Sequence, residues 1–265
     1  MKHIELKDEQ PLISIIVPAY NMEKFIGATL NSATKQTIFP QTEVIVVNDG
    51  STDGTRDIIT KFLCYRNFRL IDNNNGGFGG PGDALNTGHQ AARGKYITWW
   101  SADNIYFNNF CDVFAGTMMH AERQGHNVEL MYSDFCYINE KGQKINEVIH
   151  EKPQNGAMLI EGYDIGMSFM YTKALWEKTG AFWTRICEDY QWAVRAAQHT
   201  NFGLIRGQLA AFRVHGGQIS GHRQEEEKAA ADDAKKLAKE LYGPKGVEED
   251  IKPFDTPLCA ELLSQ

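Results

Sequence analysis

No stretch of this chain approaches the ~18 consecutive apolar residues of a membrane-spanning helix. The opening MKHIELKDEQ is charged and lacks the apolar centre of a secretory leader. A water-soluble, cytoplasmic protein, at most peripheral to a membrane, is therefore expected. Cysteine is sparse. The five residues Cys64, Cys111, Cys136, Cys187 and Cys259 are scattered, odd in number and free of any C-x-x-C pair. That spacing excludes a disulfide framework and a cysteine zinc site, and it fits a reducing compartment. Positive charge is in deficit: 27 Lys and Arg stand against 34 Asp and Glu, for a net charge of -7. Retention on nucleic acid by bulk charge is disfavoured, although a local basic patch stays open. No internal repeat is visible. The first apolar run is followed by Pro18-Ala19-Tyr20-Asn21, not by G-x-G-x-x-G, which argues against a dinucleotide oxidoreductase.

What is present points to one large, well-cored α/β domain, alone or with a small appendage: 265 residues, 42% hydrophobic and 23% charged. Residues 12–17 and 43–47 are short apolar runs rich in Val and Ile, ended by Pro18 and by Asn48-Asp49-Gly50-Ser51. β-Branched runs without alternation suit strands buried on both faces of a parallel sheet. Between them, Asn21 is placed to cap a helix that carries Met22, Phe25, Ile26, Thr29, Leu30 and Ala33 at helical spacing. A β-α-β unit results, with small polar residues at the strand ends, where an open parallel sheet binds its ligand.

The alternation continues. Helices are expected over 52–65, 83–93 and 107–124, and strands over 68–71 and 95–100, with a glycine-rich loop at 72–82. From residue 128 the pattern changes to a hairpin, 128–138 and 143–149 around Asn139-Glu140-Lys141-Gly142. A loop at 152–166, short helices at 172–179 and 188–199, and a strand at 202–214 follow. Residues 223–241 read as a solvated or packing helix, with a dimer contact as the weaker option, and 243–265 as an acidic tail.

The segments SIIVPAYN (14–21) and VIVVNDGSTDGT (44–55) together resemble the inverting glycosyltransferases of family 2. The likeness runs more weakly to about residue 220. It implies a GT-A fold: a Rossmann-like, mostly parallel sheet flanked by helices, with a small antiparallel acceptor-side portion. The glycosyltransferase domain would span 1–221, with a nucleotide-sugar half (1–125) and an acceptor and catalytic half (126–221), followed by a C-terminal helix and tail (222–265).

The resemblance assigns Pro18, Ala19 and Tyr20 to the nucleotide pocket wall and Asp49 to the base imide N–H, although Asn-Asp-Gly-Ser is also ordinary turn chemistry. Glu23 lies near the nucleotide loop, or serves a helix N-terminus. Residues 84–88 match the family's A-R-N-x-G with Leu85 in place of Arg, which leaves nucleotide preference open and Asn86 as a pocket candidate. Trp100-Ser101-Ala102-Asp103-Asn104 stands where the family carries Asp-x-Asp-Asp. Asp103 matches the metal-binding Asp, while Ser101 replaces the acid that contacts ribose. Hard oxygen ligands imply Mn2+ or Mg2+. His215, in R-x-H-x-x-x-x-S, would complete the metal shell, and Arg213 would touch phosphate or make an ordinary ion pair. Asp189, in Cys187-Glu188-Asp189-Tyr190, matches the general base, with Glu188 and Trp183 on the acceptor side. Two adjacent acids can also simply partner a helix dipole.

The implied activity is inverting transfer from a nucleoside-diphosphate-sugar, UDP-sugar first, to a hydroxyl of a glycan or glycolipid in polysaccharide or glycolipid synthesis. The alternatives are transfer onto hydroxymethylated DNA bases and nucleotide-sugar binding without turnover, the latter motivated by Ser101 and Leu85.

Overall fold

The first apolar run becomes an interior strand of a nine-stranded mixed sheet. The structure, a computed structural model, describes residues 10–73, 80–151, 155–183, 186–218 and 224–243. In chain order the strands and helices are β1 (Ile13–Ala19), α1 (Ile26–Thr34), β2 (Thr42–Asn48), α2 (Thr55–Thr60), β3 (Phe68–Asp72), α3 (Gly80–Ala91) and β4 (Tyr96–Trp99). Then come β5 (Ile105–Tyr106), α4 (Phe110–Arg123), β6 (Val128–Ile138), β7 (Lys144–Val148), β8 (Phe169–Thr172), α5 (Lys173–Thr179), α6 (Glu188–Ala196), β9 (Asn201–Arg213) and α7 (Gln224–Tyr242).

The strand order is β3-β2-β1-β4-β8-β6-β9-β5, with β7 on β6. Strands β1 to β4 are mutually parallel. β8 runs antiparallel to both β4 and β6, so β6 recovers the direction of β4, and β9 is parallel to β6. Six strands therefore end at one edge. β1 has β2 on one side and β4 on the other, so the chain order reverses there. Such a switch point opens a crevice at the carboxyl ends of the strands.

Both faces of β1 are buried, which explains its lack of alternation. Ile13, Ile15 and Val17 face a layer with Ile26 and Leu30 of α1 and Phe110 and Phe114 of α4. Ile16, with Ile45 and Val47 of β2, faces Ala84 and Leu85 of α3 and Trp192 of α6. Helix α3 approaches β1 so closely that a Cβ on Gly88 would stand 2.3 Å from Ile16 Cγ2. Only glycine allows that contact.

The hairpin forms as the turn chemistry predicts, with Asn139 Oδ1 accepting from the N–H of Lys141 and Gln143. Helix α5 starts at the Thr172 cap, whose hydroxyl accepts from Leu175 N, and stops at Gly180 with φ +81°. Two features depart from the sequence reading. β5 and β8, of two and four residues, are too short to show periodicity. Asn21 does not cap α1. It adopts φ +52°, the helix begins at Ile26, and the Asn21 carboxamide accepts from Thr52 N instead. Of the two alternatives for α7, solvated or packing, it takes the second: it buries Ala234 and Ala238, and Tyr242 donates to the Val194 carbonyl of α6. Residues 74–79 of the glycine-rich loop and 244–265 of the tail lie outside the described residues. Among the described residues, no helix is long and apolar enough to cross a membrane.

Candidate active site

Sheet direction gathers the candidate acids. Asp49, Asp103 and His215 each follow the carboxyl end of a co-directional strand: β2, β4 and β9. Helix α6 runs into the start of β9, so its N-terminus, with Glu188 and Asp189, points back toward the same edge. Trp99, the last residue of β4, lines the cavity that holds Asp189.

The loops after β1 and β2 are locked to each other. Asn21 N donates to Ser51 Oγ, Met22 N to Thr55 Oγ1 (2.7 Å) and Glu23 N to Asp53 Oδ2. The Glu23 carboxylate accepts from Gly54 N at 2.8 Å, so it serves the start of α2, not α1. Pro18 and Ala19 end β1, and Tyr20 stands 42% exposed above them. Asp49 is buried behind this lock and accepts from Asn73 Nδ2 at 3.4 Å. Burial lifts its carboxyl above the usual range, the Asn73 bond pulls it partly back, and the charge of Asp83 raises it again.

Asp103 and His215 form a pair. His215 Nε2 lies 3.0 Å from Asp103 Oδ2, and both side chains are largely buried. Gly217 N lies 3.2 Å from His215 Nδ1, which orients the ring with Nε2 toward the carboxylate. The Phe25 ring lies 4.4 Å from the imidazole. Arg213 does not reach outward for phosphate: its guanidinium donates to the carbonyls of Asp103, Asn139 and Glu140. It thereby fixes the backbone of Asp103 against the hairpin. Ser101 is held through its N–H, which donates to Tyr106 OH, while the Tyr106 ring stacks on buried Trp100.

Asp103 supplies a carboxylate oxygen and His215 an imidazole nitrogen, donor types that would suit a divalent cation. No cluster of three or more protein ligands exists among the described residues. The remaining coordination would fall to substrate phosphates and water.

Asp189 sits in a different medium. Trp99, Leu130, Phe169, Phe182 and Trp192 surround it. Its carboxylate accepts from Tyr190 N at 2.8 Å and from the Tyr163 hydroxyl. Burial raises its pKa, and these bonds only partly offset that. Burial and the charge of Asp189 raise Glu188 in the same direction. A carboxylate in this setting is a stronger base than one in water.

Asn86, a pocket candidate in sequence, has both ends of its carboxamide occupied elsewhere. It accepts from Phe182 N (2.9 Å) and donates to Phe182 O (3.0 Å). It is a clamp between α3 and the segment before the base. Two further clamps have no signal in sequence. The buried Asp134 accepts from His150 N, His150 Nδ1 and Gly207 N, and His150 Nε2 donates to the Asp164 carbonyl. Burial works to raise Asp134, but these bonds outweigh it and hold the carboxyl low. Arg195 donates to the carbonyls of Thr179 and Ala181. Trp183, the acceptor-side candidate, is 65% exposed.

The glycosyl transferase family 2 model matches residues 14–179. An uncharacterised glycosyltransferase of Rickettsia prowazekii is 41% identical over 102 residues, a match covering 37% of this chain and 29% of that protein. The chain thus spans under a third of that relative's length. Among solved structures, Staphylococcus aureus TarS 1-349 in complex with UDP-GlcNAc aligns with a TM-score of 0.68 at 20% identity, over 89% of this chain and 73% of that one. The mannosyltransferase PcManGT of Pyrobaculum calidifontis, in complex with GDP-Man and Mn2+, aligns with a TM-score of 0.58 at 16% identity, over 97% and 79%. At these identities the structural matches establish the fold, a GT-A fold.

Proposed function

The chain belongs to glycosyl transferase family 2, and on that premise we propose that it moves a sugar from a nucleoside-diphosphate-sugar to an acceptor hydroxyl with inversion at the anomeric carbon. UDP is the favoured nucleotide, a reading supported by the likeness to TarS in complex with UDP-GlcNAc. Pro18, Ala19 and Tyr20 line the base pocket, and the Asp49 carboxylate receives the imide N–H. Ser101 and Ala102 lie against the ribose. Asp103 and His215 would hold Mn2+ or Mg2+, and such an ion would supply positive charge beside the departing diphosphate. Asp189 takes the proton of the acceptor hydroxyl. The new oxygen–C1 bond forms as the C1–phosphate oxygen bond breaks, and the electron pair leaves with the diphosphate. Glu23 and Asn86 act indirectly, by fixing the loops on either side of the donor. Glu188 shares the base's end of α6 on the acceptor side. The acceptor is a glycan or glycolipid hydroxyl, reached from the cytoplasmic side of a membrane surface.

The observation that carries this reading is the gathering of Asp49, the Asp103–His215 pair and the N-terminus of α6 along one sheet edge, with Asp189 in an apolar cavity. The test is release of UDP from UDP-sugars with Mn2+ present. Wild type should turn over, and Asp103→Ala and Asp189→Asn should each lose at least ~100-fold. Turnover by both variants at the wild-type rate would sink the mechanism. The two-ligand pair and Ser101 favour one second reading, a nucleotide-sugar binding protein. Calorimetric binding of UDP-sugar without turnover by wild type would establish that alternative.

A further inference from the structure

Trp183 is the most exposed of the large hydrophobic side chains among the described residues, at 65%. The backbone leading into it is heavily hydrogen-bonded. Four consecutive carbonyls before it each accept a side-chain hydrogen bond. Thr179 O accepts from Arg195 (2.6 Å), Gly180 O from Trp192 Nε1 (3.0 Å), Ala181 O from Arg195 (2.6 Å) and Phe182 O from Asn86 (3.0 Å). The donors come from α3 and α6. The Arg195 guanidinium, itself buried, lies 3.8 Å from the centroid of the Trp183 ring. One face of the indole is thus pinned by a cation. Most of the rest of the ring meets water.

Exposing an indole forgoes much of the benefit of burying 150–250 Å² of aromatic surface. The four hydrogen bonds fix the backbone that leads into Trp183, and the Arg195 contact orients its ring, so less freedom is left to lose on binding. A pre-ordered flat apolar face beside polar groups matches a ligand that is itself flat, apolar on one face and hydroxylated at its rim. A pyranose ring has that form: axial C–H groups on one face, hydroxyls around the edge. Trp183 also lies six residues before Asp189 in the chain, and the clamped segment leads toward the start of α6.

We propose that the Trp183 ring, backed by Arg195, is the platform on which a pyranose of the acceptor stacks, so that the acceptor is a carbohydrate and not a polyol phosphate or a peptide hydroxyl. This deepens the glycosyltransferase reading and rests on it. Arg195 is a positioning residue, since it touches the ring and not the sugar.

The test uses the whole chain with UDP and Mn2+. Methyl β-glucopyranoside, methyl β-galactopyranoside, cellobiose and lactose are titrated against tryptophan fluorescence, with glycerol 3-phosphate and a serine peptide as controls. At least one pyranoside should change the emission of wild type and not that of Trp183→Ala, while Trp183→Phe keeps a partial effect. With that sugar as acceptor, KM should rise about ten-fold or more in Trp183→Ala at little change in kcat. A response to every pyranoside that is absent or equal in both proteins, or a response only to the controls, overturns the platform. Loss of UDP release in wild type would instead overturn the glycosyltransferase reading, so the two failures are distinguishable.

Discussion

In the half built from β1 to β4, candidate groups stand where strands stop. In the half from β6 to β9, they stand where side chains grip backbone. Asp49 and Asp103 reach the carboxyl edge by the direction of β2 and β4, with Arg213 then holding the Asp103 backbone. Asp189 and Trp183 depend on Asn86, Trp192, Arg195 and the Asp134–His150 pair to hold irregular segments in place. The difference follows from the sheet. A parallel strand buried on both faces has a fixed end, so the residue after it has a fixed position. The connection from β8 through α5 to α6 crosses no such frame, and hydrogen bonds to its carbonyls must supply the order.

The comparison breaks most visibly at Asp189. Asp189→Asn should lower kcat by about 10²–10⁴-fold. The same change should raise the melting temperature at neutral pH. Burial raises the folded-state pKa of this carboxyl above its unfolded value, so folding is favoured below the unfolded pKa and that contribution is lost as pH rises through the folded one. An amide removes the cost. A fall in both activity and stability would mean the carboxylate is structural.

Next is His89 of α3, buried against Tyr171 and Trp176 across the two halves, with Nδ1 donating to Leu85 O and Nε2 accepting from Tyr171 OH. Burial holds its pKa down to about 4. A depressed histidine contributes full stability above the unfolded value of about 6.5, and that is lost as pH falls toward the folded value. Urea midpoints should therefore drop between pH 7 and pH 4 by the equivalent of up to roughly 3 kcal/mol. His89→Gln should be less stable at pH 7 but flatter with pH. An equal slope in both proteins would assign acid sensitivity elsewhere.

Asn86 sharpens the contrast between a pocket residue and a clamp. Asn86→Ala should cost about 2 kcal/mol in urea unfolding, with the KM for donor changing less than that for acceptor. A donor-specific KM increase at unchanged stability would restore the pocket role. Glu23 gives the smallest effect. Glu23→Gln keeps an acceptor for Gly54 N, so stability should shift by less than about 1 kcal/mol and donor KM by less than about three-fold. A ten-fold loss of donor affinity, read by calorimetry, would put Glu23 in contact with the nucleotide.

Much of the fold was legible because its cues are local. The β-branched runs at 13–17 and 43–47 fixed the parallel core, the Asn139–Gly142 turn fixed the hairpin, and Gly180 fixed the end of α5. β5 and β8 were not legible, since each is defined by its neighbours and not by its own pattern. Asn21 misled because a capping residue type also suits a left-handed turn, and here the bond to Thr52 N, 31 residues away, decided between them. Arg213 misled because a cation near candidate phosphate ligands is equally suited to carbonyls of a neighbouring hairpin.

The chain by itself determined its parallel core and the family to which it belongs, because short apolar runs, turn residues and two contiguous motifs act within a few residues of one another. Only tertiary structure decided which acids lie in apolar surroundings, that Asn86 and Arg213 hold backbone, and that Trp183 is held rigid in water. Those outcomes depend on contacts between residues up to 110 apart in the chain, and burial and hydrogen-bond partners at that range are properties of the packed chain.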